Sequence, residues 1–246
     1  MQGEHAATTE LYRIIPAVIP RPLTLGQFKA GSPSTYFLLS EFVDMKSNEF
    51  PDPHQLCAQI VQLYTTSVSP TGKFGFHVRT CNSRTPQATE WDSSWTSFFT
   101  ELIHHVMAED HKINGLWPEL QRTEERLLSH VFPRMIGALE TNGRSVEPCL
   151  IHGDLWEGNT GTSCATGKIV LFDAGSLYAH NEMEIGGWRC PYKKVSSKVY
   201  TETYFKYCGK SEPKQDFDDK NLLYSAYFDL LYSVNHTAQG REIRQM

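Results

Sequence analysis

Residues 149–176, CLIHGDLWEGNTGTSCATGKIVLFDAGS, are the stretch from which we predict the fold. The first half carries Asp154 and Asn159 behind a short apolar run, and the second half ends a further apolar run at Asp173. The pattern KIVLF at residues 168–172 is typical of a short strand, and the surrounding glycines favour turns on either side. We therefore expect a loop and a strand end to bring three oxygen-bearing side chains to one place.

These residues follow the pattern H-x-D-L-x-x-x-N with a later Asp, which is typical of the catalytic loop of kinases. Phosphoryl transfer needs an Asp that orients the attacking hydroxyl, and it needs oxygen ligands for the Mg²⁺ that bridges the nucleotide phosphates. Asp154 fits the first requirement, and Asn159 with Asp173 fits the second. We interpret His152 as structural support for the loop.

Each half of this stretch also has a simpler interpretation. HGD is compatible with an Asx-type turn and FDAG with a strand-ending turn, and both are common in unrelated proteins. A short motif is weak evidence when it stands alone. The two motifs occur in the expected order with a hairpin-like segment between them, and this conjunction favours the phosphotransfer interpretation.

The segments HGDLWEGN (residues 152–159) and VLFDAGSLYAHNEMEIG (residues 170–186) closely resemble the fructosamine 3-kinase and ketosamine 3-kinase family. This family is related to aminoglycoside and choline kinases, and Trp156 and Glu182 distinguish its pattern from that of ordinary aminoglycoside kinases. The resemblance extends over nearly the whole chain. It implies an α+β, protein-kinase-like (aminoglycoside-phosphotransferase-like) fold. A partial small lobe with the hinge would occupy residues 1–49, and a mostly helical large catalytic lobe would occupy residues 50–246.

The resemblance also implies an activity. A member of this family transfers the γ-phosphoryl group of ATP to the 3-hydroxyl of ribulosamines or fructosamines, either free or on glycated proteins. The phosphorylated adduct is unstable and releases the amine, so the reaction is a deglycation repair step. By resemblance, Asp154 is the catalytic residue, and Asn159 and Asp173 hold Mg²⁺.

Further residues are carried over from the family. Backbone groups near Glu41, Phe42 and Val43 would meet the adenine of ATP, although an ordinary core strand with a polar exit explains the apolar run before them equally well. The candidate substrate contacts are Trp91, Trp156 and Glu182. The aromatic stripe that follows Trp91 is also typical of a core helix, and Glu182 could instead form an ion pair with Arg189.

Two expected kinase features are missing from the sequence. No G-x-G-x-x-G or G-x-x-x-x-G-K-[ST] motif precedes Asp154, and Glu4, which resembles the helix Glu of the small lobe, has no strand Lys as a partner. We interpret the chain as N-terminally incomplete because the large-lobe set is intact. The alternatives are a non-catalytic relative that serves as a binding or scaffold protein, nucleotide binding without the lid, and a small-molecule kinase for aminoglycoside or choline-like alcohols.

The composition agrees with a globular enzyme. The chain has 246 residues, of which 40% are hydrophobic and 21% charged, so it is long enough for a sizeable core. The net charge of -5 gives no basic footprint for nucleic acid, and we expect the short lysine cluster of Lys193, Lys194 and Lys198 to be a solvated face. No apolar run is long enough to span a membrane, and residues 1–13 lack the pattern of a signal peptide, so we expect a cytoplasmic protein. Six cysteines without a C-x-x-C pair indicate reduced thiols.

Periodicity and capping signals predict the remaining elements. An N-cap at Asp52 starts one helix, residues 69–89 form a long surface loop, and Pro133 kinks or interrupts a helix over residues 118–139. The apolar face of the last helix includes Leu222. The other predicted helices cover residues 3–15, 91–107, 192–207 and 220–234, and the predicted strands cover residues 20–27, 34–43 and 168–172.

Overall fold

The computed structural model describes residues 1–29, 33–47 and 49–238, which form a mixture of helices and short strands. The helices are α1 (Gln2–Ile14), α2 (Pro53–Thr66), α3 (Trp95–Asn114), α4 (Pro118–Arg126), α5 (Phe132–Met135), α6 (Asn181–Gly186), α7 (Lys198–Tyr207) and α8 (Phe217–Asn235). The strands are β1 (Pro22–Gln27), β2 (Tyr36–Ser40), β3 (Met45–Ser47), β4 (Cys81–Asn82), β5 (Thr85–Pro86), β6 (Cys149–Ile151), β7 (Thr160–Ser163), β8 (Ile169–Leu171) and β9 (Leu177–Ala179).

The strands pair in small antiparallel sheets. β1 pairs with β2, β4 with β5, and β6 with β9, while β3, β7 and β8 form one sheet with β7 in the centre. The β7–β8 hairpin pairs Thr160 with Leu171. Because Asn159 directly precedes β7 and Asp173 follows shortly after β8, this register brings the two ends of the hairpin side by side. The predicted strand at residues 168–172 is thereby confirmed.

Helix α2 begins as its sequence predicts. The Asp52 carboxylate accepts a hydrogen bond from the backbone amide of Gln55 at 2.7 Å, and Pro53 occupies the first turn, where its missing N–H is harmless. Leu56, Ile60 and other apolar residues at helical spacing are buried. The helix therefore packs one apolar face into the core.

Helix α3 begins later than its apolar pattern predicts. Ser94 caps the helix by accepting a hydrogen bond from the backbone amide of Ser97, and Asp92 pairs with Phe74 in an isolated antiparallel bridge. Trp91 therefore precedes the helix. Trp95 is the first helical residue, and it lies fully buried in a cluster of aromatic rings that includes Phe99 and Tyr224.

The interruption at Pro133 is confirmed. Helix α4 ends at Arg126, and a π-helical turn spans Leu127–Val131 before α5 begins with Pro133 in its first turn. Proline lacks an amide hydrogen, and its ring clashes with the carbonyl group four residues earlier in a regular helix. The wider π turn separates these two groups and lets the chain continue in the same direction.

Two predictions about exposure were wrong. Much of the segment 69–89 is buried, including the polar residues Thr80 and Gln87 as well as the expected anchors Phe74 and Phe76, and it contains the β4–β5 hairpin. The Gln87 amide donates to the Gly175 carbonyl at 2.8 Å, so side-chain hydrogen bonds compensate for the polar composition that had predicted a surface loop. Leu222 is 53% exposed, because α8 buries Tyr224 and Phe228 instead.

The buried apolar residues of the helices belong to one hydrophobic cluster, to which every helix except α4 contributes. Strand β3, which precedes residue 50, pairs with β7 of the catalytic stretch, so the sheet crosses the position where we predict the lobe boundary. All six cysteines lie within the described residues, and each is a free thiol. Within the described ranges no helix has the length and apolar character needed to cross a bilayer.

Candidate active site

The loop that follows β6 is anchored by His152. This side chain is fully buried, and its Nε2 atom lies 3.1 Å from the carbonyl oxygen of Phe172. Burial lowers the pKa of His152 to about 4, so the imidazole is neutral near pH 7 and its Nε2–H donates to that carbonyl. The bond ties the loop before Asp154 to the strand end before Asp173.

Gly153 permits a close backbone approach beside this anchor. Its φ angle is +83°, and a Cβ atom built at this position would lie 2.3 Å from the carbonyl oxygen of Gly175. Residues with a side chain rarely adopt this backbone conformation, and the space is filled by another main chain. The sequence H-G-D therefore allows Asp154 to lie next to the loop that carries Asp173.

Glu184 of α6 lies beneath the same loop. Its carboxylate accepts hydrogen bonds from the backbone amides of His152 at 2.5 Å and of Gly153 at 3.2 Å. Burial raises the pKa of Glu184 to about 7, and the two backbone donors oppose that shift. The sequence reasoning missed this residue, because nothing in the local pattern N-E-M-E distinguishes Glu184 from Glu182.

The Asn159 amide joins the three predicted residues. Its Nδ2 atom donates to the Asp154 carbonyl at 2.9 Å, to the Asp154 carboxylate at 3.0 Å and to the Asp173 carbonyl at 3.3 Å. Asp173 has a φ angle of +59°, in the left-handed region that a non-glycine residue seldom occupies. The fold thus places Asp154, Asn159 and Asp173 together around one point.

All three residues line a cavity of about 380 Å³. Its other walls come from distant parts of the chain: Asn82 and Ser83 from the β4–β5 hairpin, Trp156, Tyr192, Lys193, and Phe228, Tyr232, Asn235 and His236 from α8 and its end. A smaller cavity of about 200 Å³ shares Asp154 and Asp173 and extends to Glu4 on α1. Asp154 and Asp173 therefore lie between the two cavities. Such a position suits groups that act between two bound molecules.

Several opposing effects act on the Asp154 carboxyl group. Burial raises its pKa and the Lys193 ammonium lowers it, while the amides of Asn82 and Asn159 also stabilise the charged form and Asp173 disfavours it. Burial further raises the pKa of Glu4, and the negative charge of Asp173 adds to that shift. The site therefore concentrates negative charge where a cation and a polarised hydroxyl group would be accommodated.

The donor set at the hairpin ends fits a hard cation. The Asn159 Nδ2 hydrogens are used by Asp154 and Asp173, which leaves the amide oxygen available, and within the described residues no hydrogen bond or ion pair occupies the Asp173 carboxylate. The described residues contain no group of three or more His, Cys, Asp or Glu side chains suited to a metal. Two protein oxygen ligands are typical of Mg²⁺ sites in which substrate phosphates supply the rest.

The predicted substrate contacts lie in different places. Trp156 lines the cavity beside Asp154. Trp91 is half-buried and lies outside the cavity wall, where its ring packs near Tyr178 with 6.1 Å between the ring centroids. Glu182 is fully buried and accepts a hydrogen bond from the Ser211 amide at 2.6 Å, so it also lies outside the cavity wall.

The alternative pairing of Glu182 with Arg189 is wrong. Arg189 forms an ion pair with Asp218 at 2.7 Å, at the exposed start of α8. The side chain of Glu182 is buried inside the protein. Burial raises the pKa of Glu182, and the nearby Lys220 ammonium opposes that shift. Glu182 is the acid closer to Arg189 in sequence, but the tertiary fold brings Asp218, 29 residues away, to Arg189 instead.

The predicted adenine-binding segment connects β2 to β3. The Glu41 backbone amide donates to the Arg21 carbonyl at 2.8 Å, and Phe42 is 89% exposed. Glu41 and Val43 line a small cavity of about 190 Å³ together with Ile169 of β8. The segment is therefore in extended, accessible backbone next to the sheet that carries the catalytic hairpin.

Sequence reasoning also missed Asn82 and Lys193. Asn82 lies in a segment predicted to be a surface loop, and Lys193 belongs to a short lysine cluster predicted to be a solvated face. Lys193 is only 9% exposed, and Asn82 is equally buried beside the Gly153 carbonyl. No local pattern reveals either position, because long-range packing brings both segments to Asp154.

The fold and the arrangement around Asp154, Asn159 and Asp173 define a kinase-like phosphotransferase architecture. A crystal structure described as a candidate fructosamine-3-kinase of Haemophilus somnus 129PT superposes with a TM-score of 0.74 at 18% identity, and the match covers 99% of this chain and 79% of that one. This similarity shows the fold. The sequence profile of the fructosamine kinase family matches residues 1–242, and the chain belongs to that family.

Curated relatives agree with this assignment. The chain is 27% identical over 225 residues to the chloroplastic protein-ribulosamine 3-kinase of Oryza sativa subsp. japonica. This match covers 91% of this chain and 61% of the rice protein. It is 26% identical to the ketosamine-3-kinase of Mus musculus over an alignment of 273 residues. This match covers 97% of this chain and 79% of the mouse protein. The chain thus spans about three fifths of the rice protein's length.

Proposed function

We propose that this protein is an ATP-dependent kinase that phosphorylates the 3-hydroxyl group of a ketosamine, such as a ribulosamine or a fructosamine. Membership of the fructosamine kinase family supports this assignment, and the names of the rice and mouse relatives indicate the substrate class. The observation that carries the proposal is the Asn159 amide, which holds Asp154 and the Asp173 backbone together at the mouth of one cavity.

In this proposal Asp154 orients the acceptor hydroxyl group and accepts its proton as the phosphoryl group is transferred. The neighbouring Asn159 amide keeps one carboxylate oxygen in place at 3.0 Å. Asp154 lines a cavity large enough for a sugar, whose ring can pack against Trp156 in the same wall. Positioning of this kind supplies a large part of the rate of phosphoryl transfer, since little other chemistry falls to the protein.

Asn159 and Asp173 are proposed to hold Mg²⁺ through the amide oxygen and the carboxylate. When bound, the ion would neutralise charge on the nucleotide phosphates. The backbone around Glu41, Phe42 and Val43 is proposed to contact the adenine. The closeness of Val43 to Ile169 at the β8 side of the sheet supports a nucleotide that lies along the sheet towards Asp173.

A direct assay tests the proposal. The protein is incubated with Mg²⁺-ATP and either a ribulosamine or a fructosamine, and the sugar phosphate is detected by ³¹P NMR. We expect ATP-dependent formation of a 3-phosphate that then decays to release the amine. The absence of sugar phosphate with both acceptors at millimolar nucleotide would overturn the proposal, and so would equal rates for the wild type and Asp154→Ala.

Two further proposals concern the cellular context. The acceptors are proposed to be glycated proteins or small ketosamines, and the compartment is proposed to be the cytosol. Six free thiols support a reducing environment. Fractionation with a compartment marker checks the second point, and recovery in an organelle would contradict it.

A further inference from the structure

Lys193 is a buried cation in the wall of the catalytic cavity. The residue is 9% exposed, and it lines the cavity together with Asp154, Asn159 and Asp173. Its Nζ atom lies 5.2 Å from the centre of the Phe228 ring, and a Cβ atom built on Gly187 would lie 3.4 Å from that Nζ. Since Arg and other Lys side chains are absent from the described cavity wall, Lys193 is its one permanent positive charge.

This ammonium group has no hydrogen-bond or ion-pair partner among residues 1–29, 33–47 and 49–238. Its neighbour Lys194 is exposed, and the Lys194 ammonium lies 5.5 Å from the Phe50 ring, on the outside of the same turn. A buried ammonium without a hydrogen bond is costly, since the Asp154 carboxylate acts on its charge only from beyond ion-pair distance. An anionic ligand in the cavity would supply the missing hydrogen bonds. The contact with the Phe228 ring offsets only part of this cost.

The position of Lys193 indicates the charge of the acceptor. Lys193 lies on the side of the cavity bounded by Phe228 of α8, whereas the predicted adenine-binding segment lies at β3 and β8. Beside Phe228 the Lys193 ammonium favours an anionic group of the acceptor over a cationic one. A ketosamine formed from a free amino acid carries an α-carboxylate on the carbon next to its amine, a few bonds from the 3-hydroxyl group.

We propose that Lys193 binds the α-carboxylate of the acceptor, and that the substrate class is the ketosamine of a free amino acid rather than of a protein side chain. This inference rests on the proposed kinase function, and it narrows the substrate. On a glycated protein the corresponding carboxyl group belongs to a peptide bond, so it carries no charge for Lys193. The ion pair forms inside a cavity partly shielded from water, where a charged hydrogen bond is strong.

The test compares two matched acceptors, fructosyl-glycine and fructosyl-glycinamide, which differ only in the replacement of the carboxylate by a neutral amide. We expect the wild type to prefer fructosyl-glycine by about 10- to 100-fold in kcat/KM, the range of one charged hydrogen bond, mainly through KM. Lys193→Met should remove that preference, measured as the ratio of kcat/KM for the two acceptors within the same variant, because any effect of the lost charge on Asp154 changes both rates alike. Lys193→Arg should restore most of it, and Lys194→Met, which removes the adjacent exposed charge, should leave it intact.

Other results would overturn the inference. A wild type without preference between the two acceptors contradicts it. An equal loss of kcat with both acceptors in Lys193→Met assigns Lys193 to the phosphoryl group or to folding. Binding of each acceptor, measured by calorimetry without ATP, separates this inference from the kinase proposal. Tighter binding of the carboxylate that depends on Lys193 supports it even if no turnover occurs, and binding of neither acceptor at millimolar concentration rejects it.

Discussion

The Oε2 atom of Glu184 accepts a hydrogen bond from the backbone amide of His152 at 2.5 Å. Its other carboxylate oxygen lies 3.2 Å from the Gly153 amide nitrogen, so one side chain satisfies two consecutive buried donors. Backbone donors this deep seldom lack a partner, because the desolvation cost is high. Glu184 therefore fixes the start of the loop that carries Asp154.

Removal of this carboxylate should destabilise the protein. Glu184→Ala leaves two buried amides without an acceptor, at about 1 to 3 kcal/mol each, and the free energy of unfolding should fall by about 2 to 5 kcal/mol. Urea denaturation followed by circular dichroism measures the change. Glu147→Ala is the control, since Glu147 is exposed, and it should stay within about 0.5 kcal/mol of the wild type. Similar values for the two variants would refute the role of Glu184.

Two glycines with positive φ angles should respond differently to alanine. Gly167→Ala, at φ +66° with nothing within 4 Å of the added Cβ, should cost only about 1 to 2 kcal/mol of backbone strain. Gly153→Ala adds a clash with the Gly175 carbonyl, so it should destabilise the protein clearly more and displace Asp154. Thermal unfolding of both variants checks the order. A Gly153→Ala variant as stable as Gly167→Ala would contradict the close approach.

His180 should make the protein sensitive to acid. Burial, with the Lys220 charge as a smaller cause, lowers the pKa of His180 to about 3, while an unfolded chain has the ordinary value near 6.5. The unfolded state therefore binds a proton first, and the stability from the neutral His180 is lost as the pH falls from about 6.5 towards 3. The free energy of unfolding of the wild type should thus decrease more steeply in this window than that of His180→Gln.

The slope difference between these two proteins, measured by urea titrations at several pH values, isolates His180 from the other titrating groups. Glu182 and Lys220 also lie near this residue, and they are unchanged in the variant. His54→Gln provides the control, because His54 is exposed and lies on α2. Parallel pH profiles for the wild type and His180→Gln would show that burial does not hold this imidazole neutral.

Asp154→Asn should abolish most of the proposed activity without unfolding the protein. An amide accepts a proton poorly, and loss of a positioned acid–base group costs about 10²- to 10⁴-fold in rate. The carbonyl of Asp154 still accepts the Asn159 hydrogen bond, so the loop should stay folded. Rates with a fructosamine and melting temperatures are measured together. Asp218→Asn, which loses the exposed pair with Arg189, should match the wild type in rate.

The sequence predicts the local parts of this protein well. The Asp52 cap, the Pro133 interruption and the Asp154, Asn159 and Asp173 pattern each depend on residues close together in the chain. Capping, proline geometry and a hairpin act over a few residues, so their patterns are readable without a structure. The family assignment follows from the same stretch, and it is confirmed over residues 1–242.

Features that depend on long-range contacts are harder to predict from the sequence. The burial of Asn82 and Lys193 depends on contacts with residues far away in the sequence, and their polar local surroundings predicted the solvent side instead. The choice between Glu182 and Glu184 depends on which face of α6 meets the β6 end. Leu222 has the spacing of a core residue, yet the aromatic side chains of α8 occupy the core in its place.

Strand β3 restricts how the segment before it can move relative to the catalytic hairpin. Met45 through Ser47 are hydrogen-bonded along β7, whose other edge continues into β8 and the Asp173 loop, so these strands move as a unit. Any rocking of the β1–β2 hairpin against the catalytic hairpin would therefore be absorbed at Phe42 and Val43, between Glu41, whose amide still pairs with Arg21, and β3. These residues also belong to the predicted adenine contact. A ligand bound to their backbone would therefore influence the angle between the two hairpins.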